Sequence, residues 1–528
     1  MKKLFGSANK RVSFGSAATL LIATAMVGQV LGFLRNRLVS TNFTSIDPGS
    51  SDAFFAAFQI PDFFYYTIAA GALGVAFMPF IADKLANKDK RGVWNLTNGL
   101  LNVMGGVMFV VSLFLFIFAE PLIHTLAPNL APDNLHQATM IMRIISFNPL
   151  LFSISGILTS VQQSFGRFFF YAFAPLIYNL TIIASIFLFR NNIGIIGLGY
   201  GALAGAIFQL LLVIVGLQGL GYSYRPKIHW RQDGFKDMLR QIPARSLDQG
   251  IDQVNSIVET NRAQTLGVGA VSYYNFATTL HNVPIMLFGT SIATAAFPRL
   301  VERLAQNRKD LFHKEFGEIL RMMIWLSTPV LIVGYFGRGY LARLIFGDVS
   351  REVALIFGFL TAAMFSRIVY SMFSRWFYAQ KDTKTPLYVS LFTIALNIFL
   401  AFSLAKPGSY GITGLALAQS LVAITEVIIL GIIMFIRDRK VFTADLRSGV
   451  AKLISVTGFT TVAAYIMVNL LPLQIEDKGF VTLVSKFLII TIASFSVHLI
   501  VSAMLDMREA KIIFDRAKRI ILKPVQIQ

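Results

Sequence analysis

Apolar stretches long enough to cross a membrane recur along the whole chain, and the loops between them alternate in charge. A membrane span needs roughly 20 apolar residues, so these stretches predict fourteen transmembrane helices. Their predicted starts lie near residues 16, 51, 92, 135, 168, 193, 243, 271, 316, 353, 385, 411, 448 and 481. Only 14% of the residues are charged, whereas a soluble chain carries about 25%. We therefore predict an all-α, polytopic membrane protein.

The distribution of Lys and Arg predicts the orientation of the chain. Of the 47 basic residues, about 31 fall in segments that we place inside, about 6 in outside loops and about 10 within spans. Cytoplasmic loops carry an excess of Lys and Arg, so both termini are predicted to lie inside. The net charge of +20 is then mainly an orientation signal, and no nucleic-acid partner is expected. The absence of cysteine excludes disulfides and thiol catalysis.

Two segments that lead out of even-numbered spans match one another. Aligning Pro79 on Pro298, an offset of 219, matches apolar, acidic, basic, Leu and Ala positions in order. A second match, of Pro175 with Pro386, has an offset of 211. Chance recurrence of Pro is the alternative, but two matches at equivalent topological positions favour a repeat. We predict two parallel six-helix repeats, spans 1–6 and 7–12, followed by two C-terminal helices.

These patterns also predict the domain boundaries. They are an N-lobe at 1–222, a cytoplasmic linker at 223–242, a C-lobe at 243–440, spans 13 and 14 at 441–506, and a cytoplasmic tail at 507–528. The linker and the tail are basic and amphipathic, so we expect both to lie on the inner leaflet. The apolar residues of the linker include Trp230, Phe235 and Leu239.

Spans 2 and 8 are interrupted by helix-breaking residues. Span 2 carries Pro61, Gly71, Gly74 and Pro79, and span 8 carries Pro284, Gly289 and Pro298. Proline removes a helical hydrogen bond, and glycine loosens the backbone. Matching interruptions in two repeats predict helices that bend and line a central site. Close helix packing through small residues explains the same pattern equally well.

Charged residues within spans are functional hypotheses, because a charge in lipid is costly unless it is paired or hydrated. Span 7 is the most polar, and its Asp248, Asp252, Glu259 and Arg262 are spaced to lie near one helix face. This stripe predicts a wall of a hydrated cavity, with the acids as cation or proton sites. The alternative is an internal Glu259–Arg262 ion pair with Asp248 at the interface.

Arg35 lies past the middle of span 1, towards the predicted outside. A guanidinium in a cavity can bind phosphate through two parallel hydrogen bonds. Snorkelling to the outer interface, or a structural pair with Asp52, is the alternative. His281 stands alone on an apolar helix and is expected to be a satisfied interior histidine. No phosphate-binding loop for ATP occurs, so we expect transport driven by a gradient, without a metal or cofactor.

Several blocks resemble one membrane-protein family in order and spacing. They are Gly28–Asn36, Ser51–Pro61, Gly71–Pro79, Phe165–Phe168 with Ala172–Pro175, Tyr378–Pro386 and the span 8 segment that ends at Pro298. Together they resemble the MurJ (MviN) family of the multidrug/oligosaccharidyl-lipid/polysaccharide exporter superfamily. The resemblance implies two six-helix lobes around a central cavity, with two extra helices that form a lipid-facing groove. It also implies flipping of lipid II, the undecaprenyl-pyrophosphate-linked peptidoglycan precursor, by alternating access.

Spans 1, 2, 7 and 8 line a cationic cavity in such proteins, and this chain departs from that pattern. It has Gln29 where members usually carry Arg, Asn36 where they carry an acid, Tyr65 and Tyr66 for an Arg pair, and Thr278 and Thr279 for Asp-Arg. Of the cavity arginines Arg35 is retained, and Arg262 is an extra one. Glu259 lies about where members often have an acid linked to a cation site.

The resulting hypothesis is a lipid II flippase for cell-wall biogenesis in the bacterial cytoplasmic (inner) membrane. Arg35, with Arg262, would attract the pyrophosphate, and Asp52 would orient Arg35 or gate the outer side. Hydrogen bonds to sugars or peptide would come from Gln29, Asn36, Tyr65, Thr278 and Thr279. Glu259 and Asp252 would form a site for monovalent cation coupling. The expected partners are the lipid-linked precursor, membrane lipids and cell-wall synthesis proteins.

Three other functions remain open from the sequence. One is a flippase for another polyprenyl-linked glycan, and another is an antiporter for small cations. A drug antiporter would more often have twelve spans. The third is a non-transporting scaffold for cell-wall enzymes, which would usually carry a long cytoplasmic extension, whereas about 20 residues follow span 14 here. None of these functions is enzymatic.

Overall fold

The computed structural model describes residues 14–70, 77–228, 230, 234–477 and 479–511, and these residues form helices and turns without a strand. They divide into two compact units, 1–272 and 273–528. The helices that begin in the first unit are α1 Phe14–Val39, α2 Pro48–Phe64, α3 Met78–Ala86, α4 Lys90–Ile117, α5 Ala119–Leu126, α6 Pro132–Ile145, α7 Asn148–Ser164, α8 Phe169–Phe189, α9 Ile196–Gly216, α10 Phe235–Gln264 and α11 Ala270–Pro284. Helix α11 continues into the second unit.

The second unit contains eight further helices. They are α12 Ser291–Ala305, α13 Lys309–Phe336, α14 Arg338–Phe346, α15 Ser350–Ala379, α16 Lys384–Leu404, α17 Thr413–Arg437, α18 Ala444–Leu470 and α19 Phe480–Met504. Among the described residues of both units, eleven helical segments are long and apolar enough to cross a membrane. Each coincides with a predicted span, and α1, α2 and α10 lie at the other three. The all-α membrane fold is confirmed, while the count of fourteen spans and their orientation stay predictions.

The backbone of spans 2 and 8 is interrupted after Pro61 and Pro284, while Gly71 and Gly74 lie outside the described residues. A π-helical turn, Tyr65–Ala70, follows α2 four residues after Pro61. A second π-helical turn, Ile285–Thr290, follows Pro284 at the end of α11. A π-turn widens the helix by one residue and leaves its axis bent. Both helices therefore depart from regular α-helical geometry at corresponding points of the two predicted repeats.

Turn geometry repeats along the chain at nearly constant spacing. Lys88 has a φ of +57° in the turn before α4, and Asn307, 219 residues later, has +58° before α13. Both residues stand just after a helix end, where the left-handed conformation closes the last turn. Helices α4 and α13 then have the same length of 28 residues, and each leads into a short helix. This recurrence supports the predicted sequence repeat.

Small residues set the closest helix contact in the first unit. A Cβ at Gly205 of α9 would lie 3.2 Å from the Cα of Tyr178 in α8, and one at Gly201 would lie 3.3 Å from the Cα of Ile182. Glycines four residues apart let two membrane helices approach closely, and dispersion contacts then hold them. The contact lies on the face of α8 that carries Tyr178 and Ile182.

At Phe235 the linker does not follow the prediction that its apolar face lies on the membrane, whereas Trp230 is 52% exposed. Phe235 is fully buried and, together with Met238, belongs to the hydrophobic core of the first unit. Its ring occupies the space that a side chain at Gly99 would need, since a Cβ there would lie 2.8 Å from it. Packing against α4 therefore replaces contact with lipid. The tail lies outside the described residues beyond Lys511, and the domain boundaries stay predictions.

Candidate functional site

Arg35 of α1 lies within a polar cluster inside the first unit. Its Nε and Nη2 each donate to Oδ1 of Asn36 at 3.3 Å, and its Nη1 donates to Oδ1 of Asn179 at 3.2 Å. Asn36 is 3% exposed, and Arg35 is half-buried. Asp62 of α2 is close enough to attract the guanidinium. The cluster therefore joins α1, α2 and α8 around one cation.

Aromatic side chains form a wall beside this cluster. The rings of Tyr65 and Tyr66 lie 5.2 Å apart, and Tyr65 lies 5.7 Å from Phe152 of α7. Phe152 in turn lies 5.3 Å from Tyr178 of α8. Tyr65 and Tyr66 open the π-helical turn after α2, and Asp62 lies near all three tyrosine hydroxyls. The helix interruption thus places two phenols next to the cation.

Gln29 lies on the same helix as Arg35 and is half-buried. It precedes Asn36 by seven residues, which is two helical turns, so the two amides share one face of α1. Asn36 binds the guanidinium of Arg35, so this polar face adjoins Arg35. This arrangement agrees with the predicted grouping of Gln29, Arg35 and Asn36 but leaves their role a prediction.

In the described part of the chain, Asp52 forms no hydrogen bond or ion pair with Arg35, as an orienting role would require, while its alternative role as a gate on the outer side stays a prediction. Its carboxylate is 2% exposed and accepts hydrogen bonds from the N–H of Gly269 at 2.6 Å and from the N–H and hydroxyl of Ser272 at 2.8 and 2.7 Å. These donors form the first turn of α11, where helical N–H groups lack partners. Asp52 therefore caps α11, and Asn36 and Asn179 orient Arg35 instead.

Helix α10 runs beside α2 in the first unit. The hydroxyl of Ser256 donates to Oε1 of Gln59 at 3.0 Å, and the amide of Asn261 donates to the carbonyl of Leu126 at 2.8 Å. Arg262 lies six residues beyond Ser256, about 9 Å along the axis, towards the loop after α5. Asp62 lies in the opposite direction from Gln59 along α2. The two arginines are therefore at different heights, and Arg262 is not part of the Arg35 cluster.

Glu259 is 8% exposed and accepts a hydrogen bond from Nδ2 of Asn255 at 3.1 Å. A buried carboxylate with an amide neighbour offers oxygen ligands of the kind that hard cations prefer. The side chain of Asp252 lies outside the described residues. The cation site stays a prediction that rests on Glu259.

Thr278 and Thr279 belong to the second unit, on α11. The Thr278 hydroxyl donates to the carbonyl of Tyr274 at 3.0 Å, and the Thr279 hydroxyl donates to that of Asn275 at 2.8 Å. A threonine in a membrane helix commonly satisfies its hydroxyl in this way. Each hydroxyl keeps acceptor capacity, so both residues can still accept a hydrogen bond from a ligand.

Sequence reasoning did not assign three members of the Arg35 cluster. These members are Asp62, a charge within predicted span 2, and Tyr178 and Asn179, which match no motif. Asn179 lies 144 residues from Arg35 along the chain, and only the fold brings them together. The nearest hint was Pro175, which is one helical turn before Asn179 and lies in a block shared with the family.

The chemistry of the cluster suits an anion that carries oxygen. A guanidinium has five N–H donors, and three hydrogen bonds to amide oxygens fix its plane. The remaining donors can bind a phosphate oxygen with geometric precision. Tyrosine hydroxyls can donate to the same ligand, and their rings offer flat surfaces on which sugars pack. Asp62 would compete with a bound anion for Arg35.

Comparisons with known proteins agree on one family. The family model “Lipid II flippase MurJ” matches residues 48–475. A “Probable lipid II flippase MurJ” of Borreliella burgdorferi is 25% identical over 80% of this chain and 83% of its own length. One of Buchnera aphidicola subsp. Acyrthosiphon pisum is 26% identical over 70% of this chain and 74% of its own.

Solved structures resemble the fold. A structure described as “Lipid II flippase MurJ, inward closed conformation” has a TM-score of 0.75 at 21% identity, over 92% of this chain and 98% of its own. An inward-facing multidrug resistance transporter of the MATE family has a TM-score of 0.60 at 16% identity, over 79% and 98%. The second match, to a transporter described as belonging to the MOP superfamily, is a likeness of fold. Because the family model covers most of the residues, the chain belongs to the MurJ lipid II flippase family, whose members are multi-pass proteins of the bacterial cytoplasmic membrane.

Proposed function

We propose that this chain is a flippase that moves lipid II from the inner to the outer leaflet by alternating access. The observation that carries the proposal is Arg35, a half-buried cation within predicted span 1 whose guanidinium is held by Asn36 and Asn179. A charge at this depth is costly and is retained where it serves a function. A pyrophosphate-linked lipid has the complementary charge and geometry.

In this mechanism different residues around Arg35 recognise different parts of the headgroup. Arg35 binds the pyrophosphate through its remaining N–H donors. Tyr65 and Tyr66 contact the sugars, and Gln29 supplies a further amide two turns along α1. Asp62 weakens the hold of Arg35 on the anion, which favours release after translocation. No covalent bond of the substrate is broken, so the chain acts as a transporter and not as an enzyme.

The remaining predicted residues would act away from this cluster. Arg262 would attract the headgroup at another stage of its passage, and Thr278 and Thr279 would accept hydrogen bonds from sugars or peptide. Glu259 would hold a monovalent cation that couples transport to a gradient, and no other cofactor is required. Membrane lipids surround the chain, and the proposed protein partners are cell-wall synthesis proteins.

Complementation tests the function directly. The wild-type chain, Arg35→Ala and Arg37→Ala would each be expressed in a bacterial strain depleted of its own lipid II flippase. Arg37 is exposed and lies two residues from Arg35 on α1, so Arg37→Ala is a matched control for loss of one charge. We expect growth with the wild type and with Arg37→Ala but not with Arg35→Ala. Failure of the well-expressed wild type would contradict lipid II as the substrate.

A further inference from the structure

An apolar groove of about 700 Å³ lies between α4, α7 and α9 of the first unit. Its floor includes Gly105 and Gly106 of α4, and a Cβ at either position would meet nothing within 4 Å. Phe109 and Ile214 line the groove and are 46% and 45% exposed. Large exposed apolar side chains on membrane helices face lipid. The volume lies within the range of about 300–1,000 Å³ that is typical of ligand sites.

The mouth of the groove is bordered by residues 222–227, a segment that is hydrogen-bonded to α4. On α4, Asn98 binds the hydroxyl of Tyr222 at 2.9 Å and the carbonyl of Ser223 at 3.1 Å. Asn102, one turn later, binds the hydroxyl of Tyr224 at 2.7 Å and the carbonyls of Arg225 and Lys227 at 3.0 and 3.2 Å. Two amides thus pin the segment through five hydrogen bonds. These hydrogen bonds therefore hold the mouth of the groove in a defined conformation.

Residues 222–227 give the mouth of the groove a positive charge. Arg225 and Lys227 are both exposed, and neither forms an ion pair in the part of the chain that the structure describes. The segment follows span 6, on the predicted cytoplasmic side, where anionic lipid headgroups attract basic residues. Gln218, Tyr222 and Tyr224 line the same end and add hydrogen-bonding groups. An apolar floor with a basic mouth matches the two parts of an anionic phospholipid.

This groove is separate from the Arg35 cluster. Leu150, Ile154 and Leu158, at intervals of four residues on α7, line the groove. Phe152 lies on another face of α7 and contacts Tyr65 and Tyr178. Helix α7 therefore stands between the two sites, and a lipid in the groove would not occupy the headgroup site.

We propose that the groove binds one anionic phospholipid of the inner leaflet. An acyl chain lies over Gly105 and Gly106, and the phosphate lies at Arg225 and Lys227. Each basic residue near an anionic lipid surface contributes about 1 kcal/mol, which corresponds to roughly fivefold in affinity. Removal of both charges should therefore weaken binding about 25-fold, while filling the floor should exclude the acyl chain whatever its headgroup.

Native mass spectrometry of the full-length, delipidated protein tests this site. The protein would be titrated with phosphatidylglycerol or with phosphatidylcholine of identical chains, and the affinity of the first bound lipid measured. For the wild type we expect phosphatidylglycerol to bind more tightly. The double variant Arg225→Gln with Lys227→Gln should bind the two lipids equally, and Gly106→Leu should lose the first tight adduct of both.

Matched controls separate the groove from general effects. Gly458 of α18 is also exposed and has nothing within 4 Å of its Cβ position, so Gly458→Leu should leave both affinities unchanged. Arg308→Gln with Lys309→Gln removes two exposed basic residues elsewhere and should keep the preference. If Gly106→Leu does not fold, two other variants still test the proposal. They are Gly105→Ala, which adds a smaller side chain to the floor, and the double variant Arg225→Gln with Lys227→Gln. An unchanged preference in the Arg225 and Lys227 variant would overturn the proposal.

Discussion

Arg35 donates hydrogen bonds to Asn36 and Asn179 while Asp62 attracts it from α2. At the scale of the residue, this balance sets how firmly an anion can bind. The contact with Asn36 could be anticipated because the residues are neighbours in sequence. The contacts with Asn179 and Asp62 depend on how α8 and α2 pack against α1, and one sequence does not contain that information.

Asp62→Asn should act in the opposite direction to the loss of Arg35. Without the carboxylate, Arg35 keeps its full attraction for an anion, so we expect lipid II to bind more tightly and leave more slowly. The two side chains are nearly the same size, so packing should be preserved. Binding of lipid II to the purified variant measures the affinity, and proteoliposomes measure the turnover. Weaker binding by Asp62→Asn would show that the carboxylate itself contacts the substrate.

Asp52 should matter for stability through the start of α11. Asp52→Ala leaves the buried N–H groups of Gly269 and Ser272 without their acceptor, and each buried donor so lost costs about 1–3 kcal/mol. Ser272→Ala removes only the hydroxyl bond, worth about 1 kcal/mol. We therefore expect Asp52→Ala to lower the thermal unfolding midpoint in detergent more than Ser272→Ala does. Equal midpoints for the two variants would refute the capping role.

At the scale of the element, hydropathy predicted the positions of the apolar helices to within a few residues. It did not predict the full extent of polar helices or the presence of short ones. Helix α10 begins at Phe235, eight residues before the predicted start, because its first turns are polar apart from residues that pack on the protein core. Helices α5 and α14 have only eight and nine residues and fell within predicted loops. The predicted span near 135 is two helices, and Pro149 opens the second.

The positions of the interruptions in spans 2 and 8 could be predicted from the sequence, but the backbone conformation at those positions could not. Proline and glycine indicate where the hydrogen-bond ladder weakens. Whether the chain then kinks, frays or forms a π-turn depends on neighbouring helices. Here a π-turn forms at both places, and at Tyr65 it positions a candidate substrate contact.

The turn before α16 is tied to the end of α17 by Asp382. Its carboxylate accepts from the N–H of Thr385 at 3.0 Å and also binds Arg437. Burial alone would raise the pKa of Asp382, but hydrogen bonds from Thr385 and Arg437 outweigh it and lower the pKa to about 2. An unfolded Asp titrates at about 3.9. The stabilisation is therefore complete above that pH and is lost as the pH falls towards 2.

This sign gives a pH prediction for Asp382→Asn. The variant should have a lower unfolding midpoint than the wild type, and the difference should stay constant from pH 8 down to pH 5. Arg437→Gln, which removes the partner from the other side, should show the same flat profile. Thermal unfolding in detergent across that range measures it. A difference that shrinks on approach to pH 5 would contradict the lowered pKa.

At the scale of the whole molecule, the repeat was the most informative sequence signal. The offset of 219 that aligned Pro79 with Pro298 also relates the turns at Lys88 and Asn307. Turn residues with positive φ constrain the backbone strongly, so such positions persist in a repeat when side chains differ. The lipid substrate could be inferred only through the family, because Arg35 is the one cavity arginine of the family pattern that this sequence clearly retains.

Transport of lipid II by the reconstituted protein tests the central claim most directly. Proteoliposomes containing labelled lipid II and the wild type, Arg35→Ala or Arg37→Ala would be compared at equal protein content. If Arg35 anchors the pyrophosphate, the wild type and Arg37→Ala should flip lipid II, and Arg35→Ala should lose most of that activity. Undiminished flipping by a correctly folded Arg35→Ala protein would contradict the account.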